Sequence, residues 1–357
     1  MTPGPEEKGN VMVTGGGAYV EKVNNVQQVC IVTRDLGKTM EGYWNILGIG
    51  PWAVFDLRSD QTLSLSYHDK PVHASHRGAV AQVGALELEL FETIEGPSVY
   101  QDWIDEHGEG LHHLKFVPSN MAEAERRFRY LGFPPILSGD RDGGGFRYFD
   151  TSPLGCIWEI SSRDRRDGPP AGSTPYPENP GGTSPTRVKV TSISHVGICV
   201  KDVVSAAEDY WHILGIGPWR IGEWGSRVLY HRCYEGKPAW GRRRIARCCL
   251  GDLHLDLVQP IEGESMYHEW SSRHGPSLHH LGFSCEDVDE VERVLREQGA
   301  RTLESGHTDG PNGTASYCYI EVPALHCIWK PMNKSAGEAI EPLRQVPENS
   351  TTRGQEG

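Results

Sequence analysis

The 357-residue chain has no run of 18 apolar residues, so nothing in it reads as a membrane-spanning helix. Its first stretch, MTPGPEEKGN, has neither the basic start nor the apolar segment of a secretory signal, and a soluble, cytoplasmic protein with no membrane partner is expected. Cationic excess is missing too: 35 Lys and Arg stand against 48 Asp and Glu, for a net charge of −13. A surface suited to phosphate backbones is thereby excluded, and no nucleic-acid partner is expected. The local exception, Arg242-Arg243-Arg244, reads as the solvated side of a strand. The nine cysteines contain no CxxC pair, which argues against a zinc knuckle or a disulfide framework. Most are expected to be small buried apolar residues in a reducing compartment.

What the chain does have is repetition. YWNILGIGPW (43–52) and YWHILGIGPW (210–219) differ at one position, and Asp35 and Asp202, Tyr67 and Tyr234, His113 and His280, and Gly132 and Gly299 are all separated by 167 residues. Between the copies lies SSRDRRDGPPAGSTPYPENPGGTSPT (161–186), rich in Pro, Gly, Ser and charge, the composition of a flexible linker. The expected organisation is a tail at 1–22, a first domain at 23–160, a linker at 161–187, a second domain at 188–332 and a tail at 333–357.

Each copy divides again. VQQVCIVTRD followed by a helical stretch matches LHHLKFVPSN followed by AEAERRFRYLGF. VCIVT and HLKFV alternate as half-buried strands; GKTMEGYWNIL, SAAEDYWHIL, MAEAERRFRYL and VDEVERVLREQ carry helical spacing. TLSLSY, ALELELF, RVLYHRCY and LHLDLV then read as antiparallel strands. The unit is βαβββ, present four times, and the fold class is α+β with curved, mainly antiparallel sheets.

This recurring unit, with the LGIGPW phrases, GEGLHHLKF (108–116), GPSLHHLGF (275–283), ELELFETIEG (87–96) and CIWEI (156–160), resembles the vicinal oxygen chelate superfamily, which includes glyoxalase I, methylmalonyl-CoA epimerase and extradiol dioxygenases. The resemblance covers nearly everything except tails and linker. It implies two tandem domains, each with a cleft at which equivalent strands of its two halves present donors to one divalent cation. The corresponding positions of the first copy are Gln28 and His113 on the first strands and Glu89 and Glu159 on the last strands.

Register supports part of this independently. Strand alternation in His112-His113-Leu114-Lys115-Phe116 puts His112 with Leu114 and Phe116 on the apolar side and His113 on the other. In LELEL it leaves Glu87 and Glu89 on one face without choosing between them; the family register favours Glu89. An amide, an imidazole and two carboxylates suit one Zn, Ni, Co, Mn or Fe(II) ion, and the set is similar to that of zinc glyoxalase I.

By that resemblance the chain is a metal-dependent isomerase, epimerase or lyase that abstracts a proton beside a carbonyl of a small-molecule substrate through a metal-stabilised enediolate. Glu159 is the expected base, with Glu89 returning the proton from the opposite side; Tyr67 or His68 is the alternative proton carrier. A mononuclear Fe(II) dioxygenase and a non-catalytic small-molecule binding or resistance protein are the rival readings. In the second copy the matching residues are His195, Asp256 and His280, but Lys330 replaces Glu159 and would repel a cation. Either these three form a weaker two-histidine, one-carboxylate site with Lys330 turned away or gripping a substrate anion, or the metal is lost and Lys330 pairs with Asp256. A monomer or homodimer is expected, since tandem duplication can replace the dimer of single-domain relatives.

Overall fold

The computed structural model describes residues 22–60, 63–178, 183–224, 229–310, 313–333 and 344–347. The tails expected at 1–22 and 333–357 lie largely outside these residues. The first copy runs β1 (Gln28–Val32), α1 (Leu36–Leu47), β2 (Trp52–Arg58), a hairpin of β3 (Ser64–Tyr67) and β4 (Lys70–Val72), β5 (Ser75–Val83) and β6 (Leu86–Glu95). It continues with α2 (Val99–His107), β7 (Gly110–Phe116), α3 (Met121–Tyr130), β8 (Pro135–Arg141), β9 (Gly144–Thr151), β10 (Cys156–Ser161) and β11 (Thr174–Tyr176). The second copy repeats the order as β12 (His195–Cys199), α4 (Val203–Leu214), β13 (Trp219–Trp224), β14 (Leu229–Tyr234), β15 (Lys237–Pro238), β16 (Gly241–Leu250) and β17 (Leu253–Gly263), then α5 (Met266–His274), β18 (Ser277–Ser284), α6 (Val288–Glu297), β19 (Arg301–Gly310), β20 (Gly313–Val322), β21 (Cys327–Met332) and β22 (Arg344–Val346). No helix among the described residues is long and apolar enough to cross a membrane.

Each copy forms one mixed sheet of eleven strands, β11-β2-β5-β6-β1-β7-β10-β9-β8-β3-β4 in the first and β15-β14-β19-β20-β21-β18-β12-β17-β16-β13-β22 in the second. The halves of a copy join where their first strands run antiparallel, β1 on β7 and β12 on β18, and each first strand pairs in parallel with the last strand of its own half. Four strands that meet at the centre of the sheet are therefore the four that the βαβββ symmetry makes equivalent.

The repeated phrase is a structural device. Asp35 accepts from the Lys38 amide to start α1, and Gly48, at φ 66°, ends it in the left-handed conformation that glycine adopts without strain. Ile49 and Trp52 then drop into the core. Asp202 and Gly215 repeat both caps on α4. Across the copies, Tyr43 donates its hydroxyl to Leu325 O at 2.9 Å and Tyr210 donates to Leu154 O at 2.9 Å, a reciprocal pair of buried bonds. The helix-side faces merge into one continuous core that contains Val29, Leu88 and Trp158 of the first copy and Val196, Leu255 and Trp329 of the second. Two smaller aromatic-rich clusters line the concave faces.

Segment 161–187, linker-like in composition, is anchored where it is described. β11 pairs with β2, the Arg163 guanidinium reaches Glu87, and the Thr186 hydroxyl donates to Ile46 O at 2.8 Å. Apart from Tyr176, which packs against the core, its contacts come from polar groups and backbone, which apolar periodicity does not register. Likewise β22, inside the stretch read as a C-terminal tail, pairs with β13.

A candidate metal centre in the first domain

Alternation along the central strands sorts the site. On β6, Leu86, Leu88 and Leu90 enter the shared core, so Glu87, Glu89 and Phe91 face the cleft. β1 turns Val29 and Ile31 to the core and presents Gln28, Cys30 and Val32; β10 turns Trp158 and Ile160 to the core and presents Glu159.

β7 departs from simple alternation. Cys30 pairs with His113 but Ile31 pairs with Leu111, so His112 forms a bulge. Leu111 and Leu114 both reach the core, and His112 and His113 both sit on the cleft side, which corrects the placement of His112 with Leu114 and Phe116. The bulge has a use. The two imidazoles are linked Nδ1 to Nδ1 at 2.9 Å, which aims His113 Nε2 away from His112.

His113 Nε2 lies 3.1 Å from Glu159 Oε2 and 3.5 Å from Glu89 Oε2, and all three residues are buried. Gln28 lies in the same cleft, 1 % exposed. Glu87 is occupied elsewhere: Arg163 grips it through two nitrogens at 2.9 and 2.8 Å, and Lys115 stands 3.6 Å away. Geometry thus separates the two glutamates that periodicity left equivalent.

Gln28 Oε1 and Nε2, Glu89 Oε2, His113 Nε2 and Glu159 Oε2 are all buried without a hydrogen-bond partner. His113 Nε2 and the Glu159 and Glu89 oxygens meet one another as a buried cluster, while both Gln28 amide atoms are left unpaired at a cost of about 1–3 kcal/mol each, a pattern of donors that a group other than protein could complete. The donor set fits a divalent ion of the borderline series. Burial pulls the His113 imidazole down, but the carboxylates of Glu159 and Glu89 outweigh it and hold the group above its ordinary value. The same carboxylates, after burial, push the Cys30 thiol far up. Cys30 is a donor that the sequence reading missed: its sulfur, a Glu89 oxygen and a His113 nitrogen all lie within 4.8 Å of one another. Its signal was present, two residues along β1 from Gln28 and on the same face.

The alternative proton carriers lie at the rim. Tyr67 donates to Asp102, and burial together with Asp102 pushes the phenol up to about 12, so it stays protonated at neutral pH. His68 adopts φ 47° in the β3–β4 turn.

The second domain assembles differently. His195 and His280 meet Nε2 to Nε2 at 3.1 Å, and their rings lie where a Cβ on Gly282 or Gly197 would stand, at 2.1 and 1.9 Å, so glycine is required at both positions. Asp256 does not join them as a free ligand. Arg247 clamps both its oxygens at 2.7 and 2.6 Å and, against burial, holds its carboxyl down at about 2. The two histidines are thus left without a free carboxylate to complete the expected two-histidine, one-carboxylate set. Lys330 does not pair with Asp256 either; its ammonium lies over the rings of Tyr319 and Tyr317 at 5.0 and 5.8 Å. Arg247 was the missed residue: on β16, directly opposite Asp256, it supplies the counter-charge. The run Arg242-Arg243-Arg244 is corrected at its middle member, which is buried in the cleft while its neighbours pair with Glu223 outside.

A separate cavity of about 250 Å³ opens between the copies, lined by Trp103, Trp270, His274 and His326 among others.

Comparison with known proteins accords with this architecture. The family described as the Glyoxalase/Bleomycin resistance protein/Dioxygenase superfamily matches residues 27–149 and again 194–319. The Uncharacterized protein YqjC of Bacillus subtilis (strain 168) is 24% identical over 121 residues, which span 34% of this chain and 76% of that protein. A mutant of 4-hydroxymandelate synthase from Streptomyces coelicolor shares the fold with a TM-score of 0.54 at 13% identity, covering 87% of this chain and 92% of that one. A xylose isomerase-like TIM barrel/4-hydroxyphenylpyruvate dioxygenase fusion protein shares it with a TM-score of 0.52 at 15% identity, over 94% of this chain and 52% of that one. Since the family matches each of the two sheets in turn, and each sheet is built from paired βαβββ units, the chain belongs to the Glyoxalase/Bleomycin resistance protein/Dioxygenase superfamily, as a tandem pair of vicinal oxygen chelate domains.

Proposed function

We propose that the first domain is a divalent-metal-dependent isomerase, epimerase or lyase acting on a small carbonyl compound, with Gln28, Glu89, His113 and Glu159 as the residues that hold the ion. The observation that supports it is the buried meeting of His113 Nε2 with one carboxylate oxygen each of Glu159 and Glu89, beside a Gln28 amide with neither atom paired on the adjacent strand. A bound cation would supply Lewis acidity, which acidifies a C–H beside a carbonyl.

The protein groups divide the remaining work. His112 fixes the ring plane of His113. Glu159 is the base that takes the proton, and Glu89, from the other half of the sheet, returns it on the opposite side; a shared imidazole contact keeps both carboxylates at one centre. Phe91, Tyr100 and Tyr148 pack as buried rings on the cleft face. Arg163 and Lys115 keep Glu87 ion-paired and out of the reaction.

The test is proton exchange. A panel of α-hydroxycarbonyl compounds is incubated in D₂O with the Zn, Ni, Co or Mn form, and proton NMR is read beside an oxygen electrode. Deuterium should enter the α-position without oxygen uptake, and Glu159→Gln should abolish it. Oxygen consumption coupled to substrate loss would favour the Fe(II) dioxygenase reading, which the fold likeness to a dioxygenase fusion protein supports. Stoichiometric binding of an aromatic compound by metal-free protein, with no turnover, would favour a resistance-type binder.

A further inference from the structure

The second cleft contains more positive charge than its neighbours neutralise. Where the first domain has Leu65, His76, Leu137 and Glu159, the second has Arg232, Arg243, Glu304 and Lys330. Glu304 is fully buried and bridges two guanidiniums, Arg232 Nη2 at 2.8 Å and Arg243 Nη1 at 2.8 Å. Asp256 is committed to Arg247. Among the described residues facing this cleft, four cations therefore meet two carboxylates. The histidines do not change the balance: burial, followed by neighbouring cations or histidines, pushes His195 and His280 down, and burial holds His279 at about 3 and lowers His254. Two positive charges are left without a counter-charge in a low-dielectric interior, where an unbalanced ion is strongly disfavoured.

Two donors are also unspent. Arg232 Nη1 and Arg243 Nε are buried without a hydrogen-bond partner, on residues only 7 % and 5 % exposed. Arg243 and Lys330 share the same walls. The Arg243 guanidinium lies 5.3 Å from the Tyr267 ring centre and 6.0 Å from those of Tyr317 and Tyr319, the latter two being the rings under Lys330. Guanidinium forks match carboxylates, an ammonium accepts a second anionic head, and phenol rings favour a carbon skeleton between the two.

We propose that the cleft of the second domain binds a small organic dianion of the dicarboxylate class through Arg232, Arg243 and Lys330. The site is independent of the metal centre, and it gives the second copy a ligand of its own in place of a lost cation.

The test is calorimetric titration of the full chain with succinate, against the neutral diamide succinamide and inorganic phosphate. Succinate should bind one per chain, the diamide should not bind, phosphate should bind more weakly than succinate, and EDTA should leave the affinity unchanged. Lys330→Met, which breaks no ion pair, should weaken succinate binding about tenfold or more, the loss of one charge-assisted contact, without lowering the thermal midpoint of the ligand-free protein. Arg243→Lys keeps a charge beside Glu304 but removes the fork, and should weaken binding as well. The proposal is overturned by the absence of saturable binding, by equal affinity in Lys330→Met, by equal affinity for the diamide, or by phosphate binding as tightly as succinate.

Discussion

Glu159→Gln should shift the stability of the metal-free and metal-loaded protein in opposite directions. In the folded protein, Glu89 and Glu159 are 6 % and 5 % exposed and their oxygens stand 3.5 and 3.1 Å from the same His113 nitrogen, hence no more than about 7 Å from each other. Two like charges at that distance repel by about 2 kcal/mol at an effective dielectric near 20. Where His113 is neutral, the nearest counter-charge is Arg163, already held by Glu87, so the isosteric amide should leave the metal-free protein at least as stable as wild type. Metal reverses the order. At a free ion concentration 100 times Kd the wild type gains about 2.7 kcal/mol, which for domains of this size is a rise of about 5–10 °C in Tm. Glu159→Gln should gain less than about 2 °C, having lost one anionic ligand. The assay is differential scanning calorimetry over a pH series that extends above the His113 transition, with EDTA and with Zn or Mn. A variant that is less stable than wild type in EDTA yet keeps the full metal-dependent rise would refute the reasoning.

Three further outcomes follow from the same geometry. Because His113 is raised in the folded state, its contribution to metal-free stability is fully present below about pH 6.5 and is lost as pH rises through the higher folded value; across that window metal affinity should rise about tenfold per pH unit, as one proton is displaced, and a flat profile against a chromophoric chelator would remove His113 from the ligand set. Arg247→Met strands the buried Asp256 and should cost about 3–5 kcal/mol in urea unfolding, while Arg247→Met with Asp256→Asn should recover much of it. Tyr43→Phe removes the hydroxyl that Leu325 O accepts and should cost about 1 kcal/mol; no change would mean that this contact between the copies contributes nothing.

Much of this was readable from residues because the sheet obeys a period of two. LELEL turned its leucines to the core and its glutamates to the cleft, and LGIGPW appeared twice because one αL cap and one buried tryptophan end the same helix twice. What failed did so for local reasons. A bulge at His112 breaks the period, and no alternation rule announces one. The helices α2 and α5 escaped notice although Ser98 and Ser265 cap them, because their apolar stretches are short. Asp256 resembled a ligand until Arg247 was seen opposite it; pairing across strands depends on register, which one strand's sequence does not contain. Arg243 looked solvated because its partner Glu304 lies 61 residues away. The choice of Glu89 over Glu87 came from family register; what one strand's sequence could not announce is the Arg163 fork that holds Glu87, supplied by a segment whose composition suggested a tether.

The central claim is that four side chains of the first domain hold one ion, and elemental analysis of purified protein beside a Glu159→Ala variant addresses it most directly. The account predicts about one divalent ion per chain in the wild type and most of it lost in the variant. Two ions per chain, or full retention by the variant, would contradict it.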